Sequence, residues 1–133
     1  METEKEKKKR ISDKLNKICV INCKTESGRN KLDSLFSKVM KKVFSYNDSQ
    51  VEKMTSESLL VILRKLGKKY KLHLSYIFFS VNPEEGLTGS LINRNTPAYE
   101  MVCTAYSETL EELFKKIIIC IYFFVKENKE EEE

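Results

Sequence analysis

At 133 residues, 41% hydrophobic and 33% charged, the chain fits one domain with a modest core, and its composition is neither that of a membrane protein nor that of a disordered chain. Its net charge of +4 conceals a split. Residues 1–71 hold 19 basic and 9 acidic residues, a net of +10, while residues 72–133 hold 5 and 11, a net of −6, so the first question is what the basic half faces.

In chain order, Ile11, Leu15, Ile18 and Cys19 recur at helical spacing and predict a helix over about Glu4–Cys23. Ile18–Cys23 also reads as a short strand, and Gly28 is expected to break the segment. Leu32, Leu35, Phe36, Val39, Met40, Val43 and Phe44 form one face of a second helix, with Lys31, Lys38, Lys41 and Lys42 on the other. That apolar face packs either on the chain's own core or on a partner. Ser49 and Glu52 offer a capping box to a third helix and Thr55 or Ser56 a second N-cap, with Leu59, Ile62, Leu63 and Leu66 as its stripe and Gly67 expected just past its end.

The period then changes from helical to alternating. Leu72–Val81 predicts a strand, Asn82–Gly86 a turn, Leu87–Asn93 a second strand with Gly89 as a bulge position, and Ala98–Tyr106 a third. In the third strand Tyr99, Met101, Cys103 and Ala105 are expected to share a face. A last helix follows, capped by Ser107 or by a Thr109/Glu112 box and apolar almost all round from Ile117. A helix of that kind is covered on several sides, by the second helix or by another copy of the chain. The expected fold class is α+β in a single domain, 1–133. It comprises charged, frayed tails at 1–10 and 127–133, an N-terminal helical hairpin at 11–48, and an α-β-β-β-α unit at 49–126. That unit holds a three-stranded antiparallel meander packed on helices.

The chemistry expected is sparse. Gly28, Gly67, Gly86 and Gly89 match no phosphate-binding loop, and His73, the only histidine, has no triad partner near it in sequence, so the chain reads as a non-enzyme without cofactor. Cys19 and Cys23 lie one helical turn apart, but a closed zinc site takes four ligands. The thiols, with Cys103 and Cys120 in apolar runs, are therefore expected to be free core residues and not metal ligands. Met1–Arg10 lacks the apolar stretch of a secretory leader, so a reducing cytoplasm is the expected location. The longest apolar run, Ile117–Val125, is half of what a membrane span needs, roughly 20 residues.

For partners, the residues singled out are Arg64, Lys68, Lys69, Arg94 and Asn95, with Glu84 and Glu85 on a facing turn. Twenty of the 24 basic residues are lysine, which recognises phosphate as a point charge and not as a planar fork. The order α-β-β-β-α is also that of the double-stranded RNA-binding domain, whose last helix begins with lysines; here that start reads Ser107-Glu-Thr-Leu-Glu-Glu112. Nucleic-acid binding through the lysine patch is the second expectation. Sequestration of a nucleotide signal at an oligomer interface, by Asn93, Arg94 and Tyr99, is the third. A homodimer is expected on the ground that the second helix and Ile117–Val125 offer more apolar surface than short strands cover.

The segment Cys103–Ile117 resembles the strand-to-helix junction of small phage-encoded α-β-sandwich proteins, of the form Ala-x-Ser/Thr-x-Thr-x-x-Glu-Ala, with Leu113 in place of the final Ala. The resemblance implies a phage or mobile-element accessory protein. It would be a stoichiometric inhibitor of a host defence nuclease complex, of the anti-CRISPR type, binding a protein or ribonucleoprotein target.

Overall fold

A computed structural model describes residues 1–77 and 86–129, with the side chains of 73–77 left out. The elements are α1 (Glu4–Cys19), α2 (Glu26–Phe44), α3 (Asp48–Glu52), α4 (Ser56–Tyr70), β1 (Leu72–Ile77), β2 (Leu87–Asn93), β3 (Met101–Ser107) and α5 (Leu110–Lys129). The class is α+β with an antiparallel sheet. β2 pairs with β3 from Leu87↔Ser107 to Leu91↔Cys103, and β1 pairs with β2 from Leu72↔Asn93. Residues 82–85 of the turn expected at Asn82–Gly86, with Glu84 and Glu85, lie outside the described residues, as do positions 78–81 of the expected first strand.

α5 is the centre of the molecule. It packs on β2 and β3 and also on α1, α2 and α4. Ile117, Ile118, Ile119, Cys120 and Ile121 are accordingly buried in an unbroken run, which only a helix covered all round tolerates. α2 sends Leu32, Phe36, Val39 and Met40 into this core. The two apolar surfaces that suggested a dimer thus cover each other. Both helices of the expected N-terminal hairpin are present, but each is held chiefly by the rest of the fold: α1 packs along α5 and β3, and α2 along α5.

Local chemistry moves several boundaries. α1 ends at Cys19, and 20–25 is neither helix nor strand but a tight connection. Gly28 does not break the chain there. It sits in the first turn of α2 and donates to the Thr25 cap at 3.0 Å. A Cβ on it would lie 1.8 Å from the Asn22 carbonyl oxygen, so glycine is required by close approach. Before α4 come two capping boxes, Asn47/Gln50 on the short α3 and Thr55/Ser58 on α4 itself. α4 runs past Gly67 to a left-handed cap at Lys71 (φ 57°). Gly67 instead gives room to the Leu72 carbonyl, 2.8 Å from where its Cβ would be.

In the sheet, the irregularity lies opposite Leu91/Ile92, not at Gly89. Leu91 faces Cys103 and Ile92 faces Met101, so Val102 is the extra residue. The bulge breaks the alternation of β3. Cys103, Ala105 and Ser107 point inward, whereas Met101 is 64% exposed although its spacing placed it with them. Gly89 lies under the Leu113 side chain. Ser107 is the buried end of β3, and Thr109 is the cap of α5, accepting from the Glu112 amide at 3.2 Å.

The charged ends are ordered further than their composition suggested. α1 begins at Glu4 and α5 reaches Lys129. Glu127, 8% exposed, receives Arg10 at 2.8 Å and Lys14 at 2.5 Å. Lys8–Glu100 and Lys24–Glu108 are further pairs. All four join the basic half of the sequence to the acidic half, so part of the +10/−6 split is neutralised within the chain.

Candidate functional site

The C-terminal end of α4 and the turn between β2 and β3 converge at one end of the molecule. Lys71 turns the chain directly into β1, whose first residue, Leu72, pairs with Asn93 at the last position of β2. The following turn is built from its own side chains: Asn93 Oδ1 accepts from the Asn95 amide at 2.9 Å, and Thr96 Oγ1 donates to the Asn93 carbonyl at 3.1 Å. Asn95 Nδ2 then donates to the Tyr70 carbonyl at 3.3 Å, tying the turn to the helix end. Five of the seven residues singled out from the sequence thus lie on two adjoining segments: Arg64, Lys68 and Lys69 on α4, and Arg94 and Asn95 on the turn.

All five are exposed, as are Lys65 and Lys71. Lys69 Nζ lies 5.3 Å from the Tyr70 ring centre. Among the described residues, no carboxylate lies within ion-pairing distance of Arg64, Lys65, Lys68, Lys69, Lys71 or Arg94. On α1, by contrast, Lys8, Arg10 and Lys14 each meet an acid. The helix end thus carries concentrated positive charge, and Tyr99, on the same β2–β3 connection as Arg94 and Asn95, is exposed. Asn93 uses its Oδ1 and its carbonyl within the turn, next to exposed Arg94. The start of α5 is acidic, with Glu111 and Glu112 in its first turn, opposite to the lysine cluster of a duplex-RNA reader.

A second polar assembly, which spacing alone did not suggest, lies in the core. Lys116 is 1% exposed, and its ammonium donates to the carbonyls of Ile21 (2.7 Å), Cys19 (3.3 Å) and Tyr106 (2.5 Å). Three donors meet three acceptors, which is what makes a buried ammonium tolerable. Burial still pushes its pKa below the ordinary lysine value. The available signal was position: Lys116 falls one turn before Cys120 and three residues after Leu113, on the apolar stripe of α5.

Beside it, Cys19, Cys103 and Cys120 bring their sulfurs within 4.8 Å of one another, with Cys19 and Cys120 at 3.7 Å. They come from the end of α1, from β3 and from α5. The thiols of Cys103 and Cys120 turn toward Cys19, and with the Lys116 charge they hold its pKa down at about 4. A contact with Cys120 pulls Cys103 down, but donation to Cys19 and burial outweigh it and leave Cys103 at about 12. Contact with Cys103 and Cys19, together with burial, holds Cys120 well above the ordinary thiol value. A cleft of about 270 Å³, lined by Cys19, Ile21, Cys23, Tyr106 and Lys116 among others, comes to one corner of this cluster, at Cys19.

No family model, curated protein or solved structure matches the chain. No helix among the described residues is long and apolar enough to cross a membrane.

Proposed function

We propose that this is a non-enzymatic binding protein. It docks stoichiometrically, through the basic end formed by α4 and the β2–β3 turn, on an acidic surface of a protein or ribonucleoprotein. The observation that carries this reading is the grouping of Arg64, Lys65, Lys68, Lys69 and Lys71 along the last two turns and the cap of α4, with Arg94 on the adjoining turn, none with a carboxylate partner among the described residues. Un-neutralised charge on a rigid helix end steers association and sets register more than it adds raw affinity. Tyr99, exposed on the same β2–β3 connection as Arg94 and Asn95, supplies apolar contact area of the kind enriched at interfaces. The specific form follows the resemblance of Cys103–Ile117 to small phage proteins: inhibition of a host defence nuclease complex.

The test is a charge-reversed variant, R64E/K68E/K69E/R94E, compared with the parent chain in capture and inhibition assays on purified defence nuclease complexes. Loss of both, with an unchanged thermal transition, supports the reading, and retention of inhibition refutes it. The second reading, nucleic-acid binding, uses the same lysines. It requires affinity for a mixed-sequence duplex that falls steeply and linearly with the logarithm of salt. The acidic start of α5 speaks against it.

A further inference from the structure

We propose that Cys19, Cys103 and Cys120 form a three-coordinate thiolate site for Cu(I). The geometry is the first ground. Three sulfurs at the corners of a triangle hold an ion at the edge divided by √3. Edges from 3.7 Å, the Cys19–Cys120 separation, to the 4.8 Å that bounds the cluster place its centre about 2.1–2.8 Å from each sulfur, bracketing metal–thiolate bonds of about 2.3 Å. An ion enters this triangle with small side-chain adjustments and no movement of the elements.

Ligand chemistry selects the ion. A set made only of thiolates is soft and favours Cu(I), Zn(II) or iron–sulfur clusters. Zinc takes four ligands in closed sites, or three and a water in open ones. Here the cluster contains three ligands among the described residues, and the fourth cysteine, Cys23, is not part of it. Cys19, Cys103 and Cys120 are each at most 5% exposed, so no solvent-open fourth position exists at the triangle. A d¹⁰ monovalent ion that accepts trigonal coordination fits; one that demands a tetrahedron does not.

Charge and access agree. Binding displaces the thiol protons, which leave to solvent, and three thiolates around a monovalent cation carry a net −2. The Lys116 ammonium, fixed at 3.3 Å from the Cys19 carbonyl, offsets one of those charges. The cleft lined by Cys19 and Lys116 comes to the Cys19 corner, so an ion enters there by displacement of the side chains that close the triangle to water. The site also has a structural consequence. It clamps the end of α1 to β3 and to the middle of α5, so metal bound only by the folded chain stabilises it.

The experiment uses the full chain, reduced under nitrogen, with Cu(I) presented in a bicinchoninate buffer. The expected result is transfer of one copper per chain, sulfur-to-copper charge-transfer absorption and a raised Tm. C23S should behave as the parent, while C19S, C103S and C120S each lower affinity by more than about 100-fold, beyond what losing an outer-shell partner costs. X-ray absorption on the copper-loaded parent decides the matter even if a serine variant fails to fold: three sulfur neighbours and no lighter ligand are expected. Failure to take copper from the buffer would overturn the proposal. So would undiminished binding in a folded C103S, displacement of the copper by an equivalent of Zn(II), or a two-sulfur or mixed-ligand spectrum.

Discussion

At the scale of single residues, two buried charges govern this molecule. Lys116 satisfies three carbonyls that belong to three different segments, and replacing it by methionine keeps the volume but orphans all three. Lys116→Met is therefore expected to destabilise the fold by about 3 kcal/mol, read as a lower urea midpoint at unchanged m. Glu127 behaves as a clasp. Donation from Lys14 first, then from Arg10, holds its pKa below the ordinary 4.5. A carboxylate depressed in the folded state contributes stability above its unfolded pKa and loses that contribution as pH falls through the folded value. The chain should therefore lose stability below about pH 4.5 in a step that Glu127→Gln removes, at a cost near neutrality of about 1–2 kcal/mol, since both cationic partners are partly solvated. Thermal unfolding across pH 2–7 of the two proteins checks the sign and the window.

At the scale of elements, periodicity was a sound guide to which segments are helix or strand and a poor one to where they stop. The stripes of α2, α4 and α5 were legible because each buries one face at 3.6-residue spacing. Their ends were not, because close approach and not conformational preference explains two of the glycines. Gly28 shows the difference: the sequence rule reads glycine as a breaker, whereas here it lets the α1–α2 connection fold back onto the first turn of a helix. Gly28→Ala sets a Cβ 1.8 Å from the Asn22 oxygen and is expected to cost more than about 2 kcal/mol. A lowered Tm, with hydrogen exchange accelerated most in residues 20–28, is the readout. The bulge at Val102 was equally invisible, since one inserted residue inverts the alternation of Met101 without altering composition.

At the scale of the whole molecule, α5 is a spine that consumes the apolar faces of three helices and the sheet. The dimer expectation rested on those faces being open. With them closed on each other, and with the large exposed apolar residues scattered at Val20, Val61, Tyr99, Met101 and Tyr106, the chain is expected to sediment at the 15.6 kDa of one copy. A concentration-independent mass in analytical ultracentrifugation checks this. The charge split resolves in the same way. Four ion pairs close the basic half on the acidic half of the same chain, while the end of α4 is one of the places where positive charge meets no described acid.

The sequence by itself determined the α+β class, the helical stripes, the antiparallel strands and the cluster of cations at the end of α4, because local spacing and side-chain chemistry suffice for these. Even the link between α4 and the turn at Arg94–Asn95 was half legible, since both segments flank strands expected to be neighbours. Only the tertiary structure decided which cations are neutralised, where α1 and α2 dock, and that three cysteines separated by as many as 101 positions meet at one point beside a buried lysine. Those are properties of contact between distant segments. The packing around α5 creates them, and no periodicity in the chain encodes a distance in space.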